Sequence, residues 1–309
     1  MRELNQEKKR VLVPIFNRAH YGRLRSVLHA IDDHPDLELQ IMVGLPYAYG
    51  SFWKNLKYAR PNSHKKSIAW YIRARFLFLA RRMSDSFLHH DFLVQNIIRE
   101  GFRIDAYVPL MLDGGAPDIM TRVVGLGMVQ VAEELERLKP DIVFVNADRF
   151  EMMAVALAAA YANIVMVHNE AGDVSGTIDE SVRHAITKIA HLHFSATEAS
   201  RARVIQMGEN PEFVFNVGSP AIDNIVERDM HIPQGAVGAV DMGKPFLLVS
   251  HHPVTTETDV QNSGAIEAVI GALDALAMPT IFLGSNMDAG SKIIGQTVGR
   301  YIERGKAYP

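Results

Sequence analysis

The feature that most constrains this chain is a rhythm in which short apolar runs alternate with longer amphipathic stretches. βαβ units around a mostly parallel sheet satisfy such a rhythm. Val11–Phe16 reads as the first strand, the stretch from about Tyr21 to Asp32 as a helix, and Leu37–Val43 as a second strand. Gly125–Leu138 reads as a helix stopped by Lys139-Pro140, Asp141–Asn146 as a buried strand, Phe150–Ala162 as an alanine-rich helix and Ile164–His168 as the next strand. Glu180–Ala190 is a helix, Leu192–Ser195 a short strand, a further helix starts near Glu198, and Val214–Val217 closes this half. After Gly218-Ser219-Pro220 the chain passes through a helix into Pro233–Gly243, a looser segment rich in glycine. The domain boundary is placed there, giving residues 1–235 and 236–309. The second α/β series shows Pro245–Ser250, a helix from about Gly264 to Ala277 and Thr280–Leu283, which is few strands for a nucleotide-binding lobe.

A length of 309 residues fits two ordinary domains better than one core. The net charge of −3 gives no global reason to expect nucleic acid as a partner. With no cysteine, disulfides, thiolate metal sites and a cysteine nucleophile are all excluded. The N-terminus MRELNQEKKR is polar and no later run is long and uncharged enough to span a bilayer, so a cytoplasmic location is expected. The stretch from Ser51 to about His90 interleaves many Lys and Arg residues with Trp53, Trp70, Tyr71, Phe76 and Phe78. It is read as an insertion at about 50–92: a solvated helical hairpin, a basic aromatic surface for peripheral membrane contact or for a partner, or a nucleic-acid-binding surface.

In a parallel sheet, ligands gather at the carboxyl ends of strands, so polar residues just after strand-like runs carry information. The first strand runs into Asn17-Arg18-Ala19-His20-Tyr21-Gly22-Arg23, where two arginines beside a helix N-terminus suit a phosphate. Asp141–Asn146 runs into Ala147-Asp148-Arg149-Phe150-Glu151, where Asp148 also reads as a helix N-cap. Ile164–His168 leads into Asn169-Glu170-Ala171-Gly172-Asp173, then Ser175 and Asp179-Glu180 with Arg183. This is the densest set of titratable groups in the chain, and paired carboxylates in one cleft suit acid–base work. Pro245–Ser250 ends in His251-His252-Pro253-Val254-Thr255-Thr256-Glu257.

Taken together, ADRFEMMAVALAAAYANIVMVHNEAGDVSGTIDESVRHAITKIAHLHFSATEASR, with LKPDIVFV before it and VGSPAID and HHPVTTE after it, resembles the UDP-N-acetylglucosamine 2-epimerases. The hydrolysing branch, used in sialic and related nonulosonic acid synthesis, is the most similar. The resemblance implies a glycosyltransferase-B-like fold of two Rossmann-like domains with the active site between them, the second domain here incomplete. It implies that UDP-GlcNAc and water give N-acetylmannosamine and UDP through a 2-acetamidoglucal, with no cofactor and no metal. Asp148, Glu170 and Glu180 fall where the family keeps catalytic acids, and His252 on its histidine near the diphosphate. Arg18, Arg23 and Arg183 match its basic positions, and His168, Asp173, Ser175 and Ser219 complete the matched substrate-binding set. A homodimer is the expected assembly.

Several positions depart from the family pattern. Ala147 replaces the glycine of its GDRFE motif, and Ala171 the first of a glycine pair. The first-strand T-x-T-R-A-E-Y-G is here IFNRAHYG, so a threonine and a glutamate are lost. The chain stops at Pro309, before the family's Ser/Gly-rich turn and ribose-binding glutamate, as in a C-terminally truncated member. Two other readings stand beside the epimerase: a membrane-docked glycosyltransferase of the same architecture and a non-catalytic sugar-nucleotide-binding protein.

Overall fold

The computed structural model describes residues 8–46, 92–112, 117–175, 178–226, 236–237, 240–254, 256–284, 290–305 and 307. The basic aromatic segment lies outside them. The chain divides into two compact units: residues 1–112, 123–174 and 179–227 form the first, and residues 113–122, 175–178 and 228–309 the second.

The first unit is built on β1 (Lys9–Ile15), α1 (Arg18–Asp32), β2 (Leu37–Pro46), α2 (Phe92–Arg99), β3 (Ala106–Met111), α3 (Pro117–Leu138, counted in this unit from Val123) and β4 (Ile142–Asn146). It continues through α4 (Phe150–Tyr161), β5 (Val165–Asn169), α5 (Ile178–Ile189), β6 (Leu192–Ser195), α6 (Glu198–Gln206), β7 (Val214–Asn216) and α7 (Pro220–Val226). All seven strands run parallel in the order β3-β2-β1-β4-β5-β6-β7. Residues such as Leu12, Val13, Ile41, Val43, Val143 and Val145 are fully buried, as expected where helices cover both faces of a parallel sheet. On the α1 side, Val13, Ile15, Leu24, Leu28, Val43 and Phe144 share one apolar cluster. The strand order reverses between β1 and β4, which makes the carboxyl end of that pair the topological switch point.

The second unit carries the antiparallel pair β8 (Ala236–Val237) and β9 (Val240–Asp241), the parallel pair β10 (Leu247–Val249) and β11 (Thr280–Phe282), and helices α8 (Asp259–Leu276) and α9 (Ser291–Glu303). Ile266, Leu273, Phe282, Ile294 and Tyr301 form its core.

Several elements differ from the sequence reading. β3 and α2 were not anticipated, since Pro109 and the preceding basic segment mask their pattern. α9 was not anticipated either. α1 begins at Arg18 rather than Tyr21, and α8 at Asp259 rather than Gly264. Both early starts are set by capping: Asn17 accepts from the His20 amide, and Thr258 with Gln261 makes a reciprocal capping box.

Candidate active site

Four of the parallel strands end in loops that carry polar side chains toward the same edge of the sheet. After β1, Asn17 Oδ1 accepts the His20 N–H at 2.9 Å, and the His20 ring reaches back to the Phe16 amide at 3.4 Å. Asn17 is thus the N-cap of α1, and the His20 ring accepts from the amide one residue before it. That helix holds Arg23, whose Nη1 lies 3.1 Å from Glu170 Oε2. The other carboxylate oxygen of Glu170 accepts from Ser219 Oγ at 3.3 Å. Asn224 ties α7, and with it Ser219, to α1 by donating from Nδ2 to the Gly22 carbonyl at 3.0 Å.

The turns after β4 and β5 are both strained. Ala147 has φ +58° and Glu170 φ +59°, left-handed values that cost a residue with a Cβ roughly 1–2 kcal/mol. Asp148 is not the cap of α4: the N-cap is Arg149, with no side-chain capping bond. Asp148 instead pairs with Arg183, reaching across from α5. A second carboxylate, Asp173, lies 3.6 Å from Arg183 Nη1 and accepts from Ser200 Oγ at 2.5 Å. Gly172 makes this turn feasible, since its φ is +82° and a Cβ there would sit 2.3 Å from the Ser200 carbonyl oxygen.

Behind the turns lies His168, fully buried. Its Nε2 is 2.9 Å from the Ala147 carbonyl, which only accepts, so Nε2 carries the hydrogen. Nδ1 faces the Thr187 hydroxyl at 3.1 Å, which also lies 3.0 Å from the Arg183 carbonyl. Burial foremost, with the charge of nearby Arg183 adding to it, lowers the pKa of His168 to about 3 against a contribution from Ala147. His20 is likewise lowered to about 3, first by burial and then by Arg149 and Arg23. Both rings are neutral at physiological pH. Two carboxylates, Glu170 and Asp148, are therefore presented from neighbouring strands, each on an arginine, with neutral histidines beneath them.

The profile of the UDP-N-acetylglucosamine 2-epimerases matches residues 79–309. The chain belongs to this family. Among relatives of the 2-epimerase family, a UDP-N,N'-diacetylbacillosamine 2-epimerase (hydrolyzing) from Legionella pneumophila is 36% identical over 228 residues, covering 70% of this chain and 59% of the relative. A UDP-N-acetylglucosamine 2-epimerase from Neisseria meningitidis is 27% identical over 296 residues, covering 95% of this chain and 67% of the relative. The chain thus spans well under two thirds of the length of the Legionella relative. A solved Neisseria meningitidis UDP-GlcNAc 2-epimerase bound to UDP-GlcNAc superposes with TM-score 0.63 at 15% identity, covering 94% of this chain and 70% of that one. The α/β architecture is that of these glycosyltransferase-B-like 2-epimerases.

Of the positions matched to 2-epimerase motifs, the structure brings Arg23, Glu170 and Ser219 into one cluster and Asp148, Asp173 and Arg183 into another, with His168 supporting both turns. Glu180 stands half-buried in the first turn of α5, and Ser175 is exposed ahead of that helix. Arg18 occupies the first residue of α1, and its side chain lies outside the described part. His252 belongs to the second unit, exposed, with Nε2 3.3 Å from Ser250 Oγ. Sequence reasoning missed the supporting partners Asn17, His20, Thr187, Ser200 and Asn224. An N-x-x-H pattern at a strand end was the available signal for the first two.

Proposed function

We propose that this chain is a hydrolysing UDP-sugar 2-epimerase acting on UDP-GlcNAc or its diacetylated bacillosamine counterpart. The observation that carries the reading is the pair Glu170 and Asp148 on adjacent strands, each seated on an arginine at the switch point. The chemistry calls for such a pair. The C2 hydrogen is not adjacent to a carbonyl, so elimination runs with C1–O cleavage ahead, through an oxocarbenium-like state that a carboxylate steadies. The C1–O bond electrons leave with UDP, the C2 proton passes to one carboxylate, and the 2-acetamidoglucal forms. Water then adds at C1 while a proton returns to C2 from the opposite face, giving N-acetylmannosamine. We assign proton handling to Glu170 and Asp148, with Glu180 third. We assign Arg23 and Arg18 to binding the diphosphate, and residues 236–309, with His252, to nucleotide binding. A cytoplasmic homodimer is the working form we assign.

Proton NMR in deuterated water tests this directly. The expected outcome is release of UDP together with N-acetylmannosamine, or its diacetylated analogue, carrying deuterium at C2. Glu170→Gln and Asp148→Asn lose turnover by about 100-fold or more, the scale of a removed general base or acid. Product without deuterium at C2, or near-wild-type turnover in both variants, sinks the assignment.

A further inference from the structure

The first turn of α1 holds a donor that the reaction above does not use. His20 is 2% exposed, and the Phe16 amide donates to its Nδ1 at 3.4 Å. A ring nitrogen that accepts carries no hydrogen, so in the neutral ring the hydrogen sits on Nε2. Nε2 faces Asn17 Nδ2 at 3.4 Å. That amide nitrogen is itself a donor, because Asn17 Oδ1 is already the acceptor of the His20 amide. Two donors facing each other make no hydrogen bond, so the Nε2–H of His20 is left without an acceptor among the described residues.

A second unspent donor lies at the end of the neighbouring strand. Asn146 uses Oδ1 to accept from Asn169 Nδ2 at 2.7 Å, while its own Nδ2 is buried with no partner among the described residues. Phe144 shares a cluster with Leu24 and Leu28 of α1, and Asn146, two residues on, projects to that same side of the sheet. β1 and β4 are paired and parallel, Leu12 beside Val143, so both donors stand on the α1 side of the switch point. Buried N–H groups are as a rule satisfied, by protein, water or ligand, and two unspent ones together mark a place built for an acceptor.

Charge decides which acceptor. Arg23 is paired with Glu170 and Arg149 with Glu151, and the His20 ring is neutral. The two donors themselves bring no positive charge, and Arg23 and Arg149 beside them are each matched by a carboxylate, which suits a neutral oxygen at these two N–H groups.

We propose that His20 Nε2–H and Asn146 Nδ2 form a subsite for a neutral oxygen on the hexose, a hydroxyl or an acylamino carbonyl, with His20 separating sugar nucleotide from free nucleotide. The proposal rests on the sugar-nucleotide reading above.

Isothermal titration of the full chain with UDP-GlcNAc and with UDP, in wild type, His20→Gln, His20→Phe and His20→Glu, tests it. Gln keeps both the acceptor for Phe16 and a donor, and retains the wild-type ratio of the two affinities. Phe keeps the bulk and loses the donor, so UDP-GlcNAc weakens by ~10-fold, the scale of one lost hydrogen bond, while UDP is unchanged. Glu keeps the helix-starting acceptor but sets a carboxylate where the donor stood, and loses at least as much. If His20→Phe does not fold, Glu against Gln decides alone, since both retain the helix-starting contact. Equal ratios across the folded variants, in a wild type that binds both ligands, overturn the role of His20 alone. A wild-type chain that does not bind UDP-GlcNAc overturns this proposal and the sugar-nucleotide reading together.

Discussion

Ala147 and Glu170 sit at the mouths of β4 and β5 in a backbone region that L-residues avoid, and they end up there for different reasons. Glu170 has a side chain to deliver, and its ion pair with Arg23 and bond from Ser219 compensate the turn. Ala147 offers only its backbone, the N–H to the Asn169 carbonyl and the carbonyl to His168, so its strain is uncompensated by its own side chain. Ala147→Gly relieves it, offset in part by the greater freedom of glycine in the unfolded chain. The expected result is a rise in stability of about 1 kcal/mol, read as a higher urea midpoint at unchanged slope. An unchanged or lower midpoint shows that the turn holds no strain of its own. At this scale the positions of Asp148 and Glu170 just beyond β4 and β5 were legible in sequence, whereas Arg183 lies within α5 and gives no strand-end signal. Asp148 as a cap was the error, because an acid before a helix looks the same whether it bonds its own backbone or an arginine from another element. Only the fold brings Arg183 across.

At the scale of elements, His168 joins β5 to the turn after β4 and to α5 through Ala147 and Thr187. Its folded pKa of about 3 lies below the unfolded value of 6.5, so the unfolded chain binds the proton first. The stability that the neutral ring contributes is therefore full above pH 6.5 and is lost as pH falls toward 3, at about 1.4 kcal/mol per pH unit for one proton. His168→Gln removes that titration while keeping an amide donor for Ala147. The variant is expected to be less stable than wild type at pH 7.5, with the gap narrowing by about 2 kcal/mol by pH 5 in urea unfolding. A gap that is constant with pH shows that His168 is charged, or exposed, in the folded protein. Element existence was legible wherever an apolar run was continuous, as in Val11–Ile15 or Ile142–Asn146. It failed at β3, where Pro109 interrupts the run, and at the starts of α1 and α8. There the polar first turns of Arg18-Ala19-His20 and Asp259-Val260-Gln261 look like loop, and only the side-chain caps mark them as helix.

For the whole molecule, the strand order places the switch point between β1 and β4, and that one topological fact selects the edge where Glu170, Asp148 and Arg23 gather. Sequence periodicity conveys that strands exist and run parallel, but order in the sheet is a tertiary property and was not derivable from spacing. The two units have separate cores, one spanning α1 and the parallel strands and one centred on Ile266, Phe282 and Tyr301. Separate cores allow a ligand to stabilise one unit without the other, by an amount set by concentration over affinity. If residues 236–309 hold the nucleotide, UDP alone slows amide hydrogen exchange in α8, β11 and α9 and leaves the turns after β4 and β5 unchanged. UDP-GlcNAc is expected to add protection in peptides covering Ala147–Glu151 and Glu170–Asp173, which carry the proposed proton-handling pair. Protection by UDP confined to the parallel sheet of the first unit would reverse the assignment of the two units, and with it the placement of His252 at the diphosphate.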